Sequence, residues 1–400
     1  TEVTAIDRQA KKVTARNVHT GEVMEEKYDK LVIATGASPV IPPIGGTDLE
    51  GVTTLHSLED ARYLKNRVKS GDIKHAVVIG GGLIGIETSE AMALGGINVT
   101  VVEREKQILS FLDPEMALHV ENHMKSKGAA LVTGTSVTEI VGADGRVTAV
   151  RLSDDRELPC DLVLVAIGVR PNTKLAGDAQ LEIGETGGIV TNDYMQTSDP
   201  NIYAAGDCVE VNHLVTGGKT LYPMGDAANL QGRVIGQNIT RGNKEIYPGV
   251  IITGICKIFD MVAGSTGINE RDARAAGLEI ETLIHVAPDK PTFMDAAPVI
   301  IKLVAEKGTG KLLGVQSVGT GDVAKRLATA ATALHAKFTI ADMINLDLPY
   351  APPFSPAIDN FITAVHCLEN KLNGEMDGIS SAELKEMIDG TDCNLCIQAE

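Results

Sequence analysis

An α/β fold is what this sequence predicts, followed by a region of α+β character, and three observations carry the prediction. The apolar run Ala76–Ile79 leads into Gly80-Gly81-Gly82-Leu83-Ile84-Gly85, a helical pattern follows from Ile86 to Leu94, and a second apolar run, Ile97–Val102, ends in Glu103. Strand, glycine turn, helix, strand and closing acid make up the unit that a dinucleotide-binding turn needs. Two further runs, Asp29–Gly36 and Asp161–Gly168, are continuous apolar stretches that end in glycine, as strands buried in a parallel sheet do. From Ile251 to Pro356 the pattern changes: strand-like runs (Val299–Val304, Leu312–Val318) alternate with helical ones (Glu270–Ala276, Asp322–His335, Ile340–Asn345) and no glycine fingerprint occurs.

Taken in order, Thr1–Tyr28 alternates weakly around a turn at His19–Glu22 and predicts a hairpin or small meander. Asp29–Gly36 is a buried strand, and the proline-rich Ala37–Pro43 an extended connection. His56–Lys69 is an amphipathic helix with Leu58, Ala61, Leu64 and Val68 on one face. After Glu103, Asp113-Pro114-Glu115 supplies an N-cap acid with proline at the first helical position, Met116, Val120 and Met124 stripe the helix, and Gly128 ends it. Strands at 130–133, 137–141 and 146–152 read as one three-stranded meander, and the end of Asp161–Gly168 is expected beside the glycine loop, with Gly168 close to the nicotinamide half of a cofactor. Asn229–Ile239 is a helix, Leu348–Pro356 a proline-fixed segment able to project side chains to a neighbour, Asp359–Asn370 a helix and Lys371–Gly378 a linker. Ile379–Ile388 starts another helix, with Ser380 and Glu383 spaced as a capping box. The chain opens at Thr1 inside a strand pattern and closes at Glu400 just after that helix, so a longer natural protein is expected.

The length of 400 residues suggests two to three domains. A net charge of −17 argues against nucleic acid or an anionic membrane as partner. No apolar run is long enough for a membrane span and no signal pattern opens the chain, and the six scattered cysteines are no disulfide framework, so a cytoplasmic protein is expected.

The chemistry concentrates on a few residues. Gly80 makes the tight turn, Gly82 lets the backbone approach a pyrophosphate, and Gly85 lets helix and strand pack closely. The helix N-terminus that follows offers free N–H groups and a positive dipole end to phosphate. Glu103 suits a ribose 2′-hydroxyl and repels a 2′-phosphate, favouring NADH, while the adjacent Arg104 leaves room for NADPH; Glu87, which closes the stretch, is counted with the cofactor-binding residues. In Thr197–Asp207 a short strand ends in Gly206-Asp207, where the carboxylate serves either a chain of sugar-like hydroxyls or a helix N-cap. Cys208 reads as a small buried residue starting a helix, Cys393 and Cys396 have redox or zinc spacing without a second pair, and His119 and His123 read as an ordinary helix surface. No metal site is expected.

Three signatures in order, Ala34-Thr35-Gly36 after a strand, the Gly80–Gly85 fingerprint with Glu103, and Tyr203-Ala-Ala-Gly206-Asp207, resemble the two-dinucleotide-domain flavoprotein disulfide reductases over about residues 1–370. The resemblance implies an NAD domain inserted in a split FAD domain, followed by an α+β dimerisation domain. The FAD-binding domain would take 1–70 and 191–245, the NAD(P)H-binding domain 71–190, and the dimerisation domain 246–370. It implies that Ala34, Thr35 and Gly36 close the FAD domain and that Asp207 bonds the FAD ribityl chain, with Gly206 allowing close approach. A His-Pro-x-x-x-x-Glu base is absent, and Tyr350-Ala-Pro-Pro-Phe-Ser355 is similar to the interface segment of the coenzyme A disulfide reductase, NADH oxidase and NADH peroxidase branch. There Tyr350 would reach the partner subunit's site in a homodimer and exchange a proton with a thiolate. Asn229 is a substrate contact by alignment of Pro223–Arg233 alone. Ile379–Ile388 is similar to the first helix of a rhodanese-like domain, so 371–400 is a linker and the start of that domain.

The chain departs from the branch in three places. The family's FAD fingerprint and its Ser-Phe-x-x-Cys nucleophile are expected ahead of Thr1. Where coenzyme A disulfide reductases carry a Tyr-Tyr-Pro-Gly-Ala-like stretch this chain has Thr292-Phe-Met-Asp-Ala296, and Ile358 stands where they place a Lys. The expected activity is therefore FAD-dependent passage of hydride from NADH to a disulfide or persulfide, with a persulfide or polysulfide favoured. The alternatives are oxygen or peroxide as acceptor, on which Leu83 bears because NADH peroxidase relatives often carry a tyrosine there, and a non-catalytic nucleotide-binding module.

Overall fold

A computed structural model describes residues 1–389. β1 (Glu2–Asp7), β2 (Lys12–Arg16) and β3 (Val23–Lys27) form the antiparallel meander that the weak alternation predicts. The strand expected over Asp29–Gly36 shrinks to β4 (Leu31–Ile33), with Val32 exposed. The proline-rich connection contains a short strand of its own, β5 (Ala37–Pro39).

The next stretch builds a parallel sheet. β6 (Val52–Thr53) is one edge, and α1 (Leu58–Ser70) is capped by Ser57, which forms a capping box with Asp60. Of the face expected for α1, Leu64 is buried and Val68 packs half-buried against the same core, while Leu58 and Ala61 are exposed, so the apolar face is narrower than expected. β7 (His75–Ile79), α2 (Leu83–Leu94), β8 (Asn98–Glu103) and α3 (Pro114–Ser126) follow the expected order. Met116, Val120 and Met124 are fully buried on α3. β9 (Ala130–Thr133) was expected in the meander, but it pairs in parallel with β8. A strand that returns through a helix lies parallel beside its predecessor, which accounts for the difference. The meander is instead β10 (Val137–Ala143), β11 (Arg146–Leu152) and β12 (Glu157–Pro159). β13 (Leu162–Val165) then enters the middle of the parallel sheet, whose order is β6-β13-β7-β8-β9.

The chain leaves this unit through β14 (Val169–Pro171), which pairs antiparallel with β5, and α4 (Lys174–Asp178). β15 (Ile202–Ala204) pairs in parallel with β4, β16 (Glu210–Asn212) pairs with β17 (Lys219–Leu221), and α5 (Gly225–Arg241) completes the unit. Packing moves the expected boundaries at 71 and 190. Ile44, Leu49 and Val52 pack with Ile140 and Val163, whereas Ala176 packs with Ile33 and Tyr203, so the parallel-sheet unit gathers residues 44–168.

A five-stranded antiparallel sheet follows, ordered β18-β19-β22-β21-β20. Its strands are β18 (Thr253–Ile258), β19 (Met261–Gly267), β20 (Ile280–Pro288), β21 (Pro298–Glu306) and β22 (Leu312–Gly319). α6 (Glu270–Ala275), α7 (Val323–His335), α8 (Ile340–Met343) and α9 (Asn360–Leu372) accompany it. Val299, Ile301 and Leu303 face α7 and α9, meeting Leu327, Ala330, Phe361 and Val365. On the opposite face Cys256, Ile258, Ala263 and Val318 share one core with Ile86, Met92, Met116 and Val120 of the parallel-sheet unit. The strand period of two thus splits the sheet between its own helices and the neighbouring unit. α10 (Ser381–Asp389) has the expected capping box: Glu383 N–H donates to Ser380 Oγ and Ser380 N–H to the Glu383 carboxylate. Cys393 and Cys396 lie outside the described residues.

Candidate functional site

The glycine loop is built as the sequence requires. Gly80 has φ of +108°, and a Cβ there would collide with the Ala166 carbonyl at the end of β13. A Cβ on Gly85 would collide with the Gly80 carbonyl, so this glycine allows α2 to close onto β7. Gly82 differs: a Cβ on it would meet no protein atom within 4 Å, and it caps α2 with no side-chain hydrogen bond. The open space faces the uncapped first turn of a helix, where unpaired N–H groups and the dipole favour phosphate.

Glu103 has a second task beside the one the sequence suggested. Its Oε2 accepts from Gly81 N–H at 2.7 Å and its Oε1 from Glu105 N–H at 2.8 Å, so it braces the loop against the end of β8. Each oxygen keeps a further lone pair. Arg104 turns its guanidinium to Glu105, at 3.2 Å. Leu83 packs toward Gly254 of β18 and into the core shared with the C-terminal sheet. Glu87 lies farther along α2, where loss of water and then the Glu90 charge push its carboxyl above the usual range, and its own charge reaches the Cys256 thiol.

The other signatures stand at the ends of strands joined to this loop one to the next. β13 lies beside β7, so Ala166–Gly168 runs past Gly80. The parallel pairing of β15 with β4 sets Gly206-Asp207 beside Ala34-Thr35, with Ala205 N–H donating to Ile33 O. No helix starts at Asp207, and β16 follows instead, so the N-cap reading falls away, as does that of a helix at Cys208. The half-buried Asp207 carboxylate accepts no hydrogen bond among the described residues. Gly206 N–H donates to Oε1 of the buried Gln231 on α5, at 2.7 Å. Asn229, exposed on the same helix, folds its amide back onto Gly225 O at 2.6 Å.

Two residues of this region escaped the sequence reading. Gln231 is one. The other is Asn172, which ties the Thr35–Ser38 loop to the strand leaving Gly168. Its Nδ2 donates to Thr35 O at 2.9 Å, its Oδ1 accepts from Ser38 Oγ at 2.9 Å, its N–H donates to Gly36 O at 2.9 Å, and its carbonyl accepts from Thr35 Oγ1 at 2.6 Å. The stretch Gly168-Val-Arg-Pro-Asn172 was the available signal.

Tyr350 stands apart, on the segment between α8 and α9, more than half exposed and without a hydrogen bond among the described residues. The segment is pinned at its base. Asp359 receives Ser355 Oγ at 3.0 Å, Lys325 Nζ at 3.0 Å and the buried Arg326 guanidinium at 2.8 Å. Burial pushes the Asp359 carboxyl up, but the Phe361 N–H and the Arg326 charge outweigh it and hold it below the usual range. Phe293, Phe354 and Ile358 are also exposed.

One carboxylate cluster has the shape of a cation site. Oxygens of Asp113, Glu115 and Glu270 lie within 4.8 Å of one another. The protein supplies its own cation: Lys302 Nζ, on a side chain 1% exposed, is 2.8 Å from Asp113 and 2.7 Å from Glu270 and also bonds Glu115. Asp113 sits at the N-cap of α3 yet makes no cap bond with its side chain, a correction to its expected role. Its carboxylate reaches Lys302, Gln316 and Glu270 N–H of the C-terminal domain instead. Among the cysteines, burial first and the nearby acids second push the Cys160 and Cys256 thiols to about 12, and Cys208 is fully buried. His119 is exposed, and His123 packs edge-on to Phe259.

The sequence matches the family described as pyridine nucleotide-disulphide oxidoreductase over residues 1–229 and its dimerisation domain over residues 253–361. The chain belongs to the pyridine nucleotide-disulphide oxidoreductases. It has that family's two-domain flavoprotein architecture with a C-terminal dimerisation domain, and the family consists of enzymes. It is 37% identical over 353 residues to the NAD(P)H coenzyme A polysulfide/persulfide reductase of Pyrococcus horikoshii, covering 86% of this chain and 76% of that protein. It is 38% identical over 358 residues to an NADH oxidase of Methanocaldococcus jannaschii, covering 89% of this chain and 79% of that one. The solved NAD-dependent persulfide reductase of A. fulgidus superposes with a TM-score of 0.93 at 47% identity, over 96% of this chain and 71% of that chain.

Proposed function

We propose that this pyridine nucleotide-disulphide oxidoreductase uses FAD to pass hydride from NAD(P)H to a disulfide or persulfide of the coenzyme A or polysulfide type. The observation that carries the reading is the chain of contacts that links the signatures: Gly80 lies against Ala166 with β13 beside β7, Val40 N–H bonds Gly168 O, and β15 beside β4 puts Gly206-Asp207 next to Ala34-Thr35. The names of the Pyrococcus and A. fulgidus relatives supply the sulfur substrate. Residues 44–168 hold the nicotinamide nucleotide, residues 1–43 and 169–250 the flavin, and the β18–β22 domain joins two subunits into a homodimer. When bound, FAD would supply the two-electron chemistry: hydride from NAD(P)H leaves NAD(P)⁺, the electron pair opens a sulfur–sulfur bond, and the hydride's proton with one from solvent completes two thiols from a disulfide, or a thiol and hydrogen sulfide from a persulfide.

The chain's own residues bind and orient. Gly80 and Gly85 shape the turn, Gly82 and the first turn of α2 receive the pyrophosphate, and Glu103 takes the ribose hydroxyl with its remaining lone pairs. Arg104, engaged with Glu105, gives a 2′-phosphate little help, so NADH is the better donor. The unpartnered Asp207 carboxylate accepts from the hydroxyl chain of FAD. Tyr350 extends into the partner subunit's site, where its phenol protonates a thiolate. Cys160, Cys208 and Cys256 are too buried to be the redox thiol, so the reading takes it from other residues. Asn229 contacts substrate only if its amide lets go of Gly225 O. A cytoplasmic location, with α10 opening a rhodanese-like domain, completes the proposal.

The test compares NADH turnover by the full natural chain with polysulfide, coenzyme A disulfide, oxygen and peroxide. Fast turnover with a sulfur acceptor is the expected result, and oxygen alone supporting fast turnover rejects the proposal. That outcome would favour the oxidase reading, which the M. jannaschii relative's name supports.

A further inference from the structure

We infer that Asp359, acting through Ser355, is the positioning residue that holds Tyr350 in place for its proton exchange. This rests on the role proposed above for Tyr350. An exposed tyrosine with no hydrogen bond of its own among the described residues takes its position from the backbone that carries it. That backbone runs from α8 to α9 without helix or strand. It is fixed at both ends. On one side Leu346 and Leu348 pack into the core of the C-terminal domain. On the other, Ser355, 1% exposed, donates its hydroxyl to the Asp359 carboxylate at 3.0 Å. The hydroxyl also lies 2.9 Å from Pro356 O, and of the two acceptors the charged carboxylate makes the stronger bond. The hold reaches Tyr350 in one further step. Phe354 N–H and Ser355 N–H both donate to Ala351 O, at 2.8 and 3.1 Å, and close the turn that follows directly on Tyr350.

The anchor is itself held from several sides. Asp359 caps α9 by accepting from Phe361 N–H at 2.9 Å, and it receives Arg326, on the first turn of α7, at 2.8 and 3.1 Å. Arg326 in turn donates to Asp289 O, just past the end of β20, at 2.9 Å and to Asp322 O at 3.0 Å. Lys325 Nζ lies 3.0 Å from Asp359 and 3.5 Å from Phe354 O. One carboxylate thus joins two helices and a sheet end, and the Tyr350 turn hangs from it.

At the step served, the electron pair has opened the sulfur–sulfur bond and left a thiolate. The proton moves from Tyr350 Oη to that sulfur, giving a thiol and a phenolate, and the phenolate takes a proton back from solvent. Donor and acceptor must come within about 2.6–3.2 Å, and a misplacement of about 1 Å costs roughly a hundredfold in rate. Asp359 and Ser355 are buried and do not meet substrate themselves. Their loss therefore slows this step and leaves flavin reduction by NADH as it is.

The experiment uses the full chain with FAD, as wild type, Ser355→Ala, Asp359→Asn, Tyr350→Phe and the double variant Ser355→Ala/Tyr350→Phe. Anaerobic stopped-flow measures two rates separately: flavin reduction by NADH and flavin reoxidation by polysulfide. Ser355→Ala is expected to slow reoxidation about tenfold, and Asp359→Asn up to about a hundredfold, with reduction by NADH within about twofold of wild type in both. The double variant is expected to reoxidise within about twofold of Tyr350→Phe alone, because two changes acting through one phenol do not add. Should Asp359→Asn not fold, Ser355→Ala and the double variant carry the test. A Ser355→Ala rate equal to wild type while Tyr350→Phe is slow overturns the inference. So do two half-reactions that fall together, or a double variant slower than Tyr350→Phe by the full Ser355→Ala factor. A Tyr350→Phe variant that polysulfide reoxidises at the wild-type rate overturns the parent reading of Tyr350, and the inference with it.

Discussion

Lys302→Ala removes the cation from the middle of Asp113, Glu115 and Glu270, at a charged contact between the parallel-sheet unit and the C-terminal domain. Breaking one partner out of a buried ion pair costs about 3–5 kcal/mol, mostly for the charge left behind. Here the orphaned charges differ. Asp113 is 3% exposed but keeps Gln316 and the Glu270 N–H, while Glu115 and Glu270 are 33% and 28% exposed and can rehydrate. The expected loss is thus near the low end, about 3 kcal/mol. Urea unfolding followed by circular dichroism reads it, since the chain has no Trp. Calcium extends the test: its oxygen ligands lie about 2.3–2.6 Å from the ion, which suits three carboxylates within 4.8 Å. Millimolar calcium is expected to restore part of the variant's stability and to leave wild type unchanged. The pH dependence has a fixed sign. Burial pushes Glu270 up, but Lys302 and Arg274 outweigh it and hold it below 4.5, so its contribution is present above that value and lost as pH falls through the lowered one. Burial lowers Lys302, but Asp113 and the two glutamates outweigh it and hold it above 10.5, so its contribution is full below 10.5 and lost as pH rises through the raised value. The difference between wild type and variant should be flat from about pH 5 to 10 and shrink outside that window. A variant within about 0.5 kcal/mol of wild type, the scale of a solvated surface pair, refutes the reasoning.

Four further substitutions address the nucleotide sites and the neighbouring subunit. Gly82→Ala adds a methyl where no atom stands within 4 Å, so the melting temperature should hold while NADH affinity falls about tenfold; Gly85→Ala, whose methyl strikes the Gly80 carbonyl, should cost about 1–3 kcal/mol of stability as well. Equal melting temperatures for the two variants would contradict this division. Asp207→Ala should weaken FAD retention by roughly ten- to a hundredfold, the worth of a charged hydrogen bond, measured by equilibrium dialysis; full retention removes Asp207 from the flavin site. Tyr350→Phe should leave stability and flavin reduction by NADH unchanged but slow turnover with a sulfur acceptor about a hundredfold; equal turnover rules out proton exchange by its phenol.

The legible parts of this fold were those written in local pattern. The run Ala76–Ile79, the glycine loop, α2 and β8 follow one another along the chain, and Met116, Val120 and Met124 recur at helical spacing on α3, so local pattern alone places them. What stayed hidden depends on partners far away in sequence. Asp113 looked like a helix cap because its neighbours are Pro114 and Glu115, and nothing near it announces Lys302 or Gln316. Lys302 itself sits in a strand pattern as an ordinary alternate position. Leu58 and Ala61 fit a helical stripe, but α1 turns only its Leu64 and Val68 side against the core. Asn172 drew no notice because its partners, Thr35, Gly36 and Ser38, lie far away in sequence. The nucleotide sites were therefore readable signature by signature, while the bonds that fix their parts relative to one another were not.

Hydride is proposed to enter a flavin held by this chain, and its electron pair to leave to sulfur. An anaerobic titration of the FAD-loaded full chain tests both halves in one cuvette. One equivalent of NADH should bleach the flavin absorbance, and polysulfide added afterwards should restore it without oxygen. A protein that FAD cannot colour, or a bleached flavin that polysulfide leaves reduced while oxygen restores it, would contradict the account.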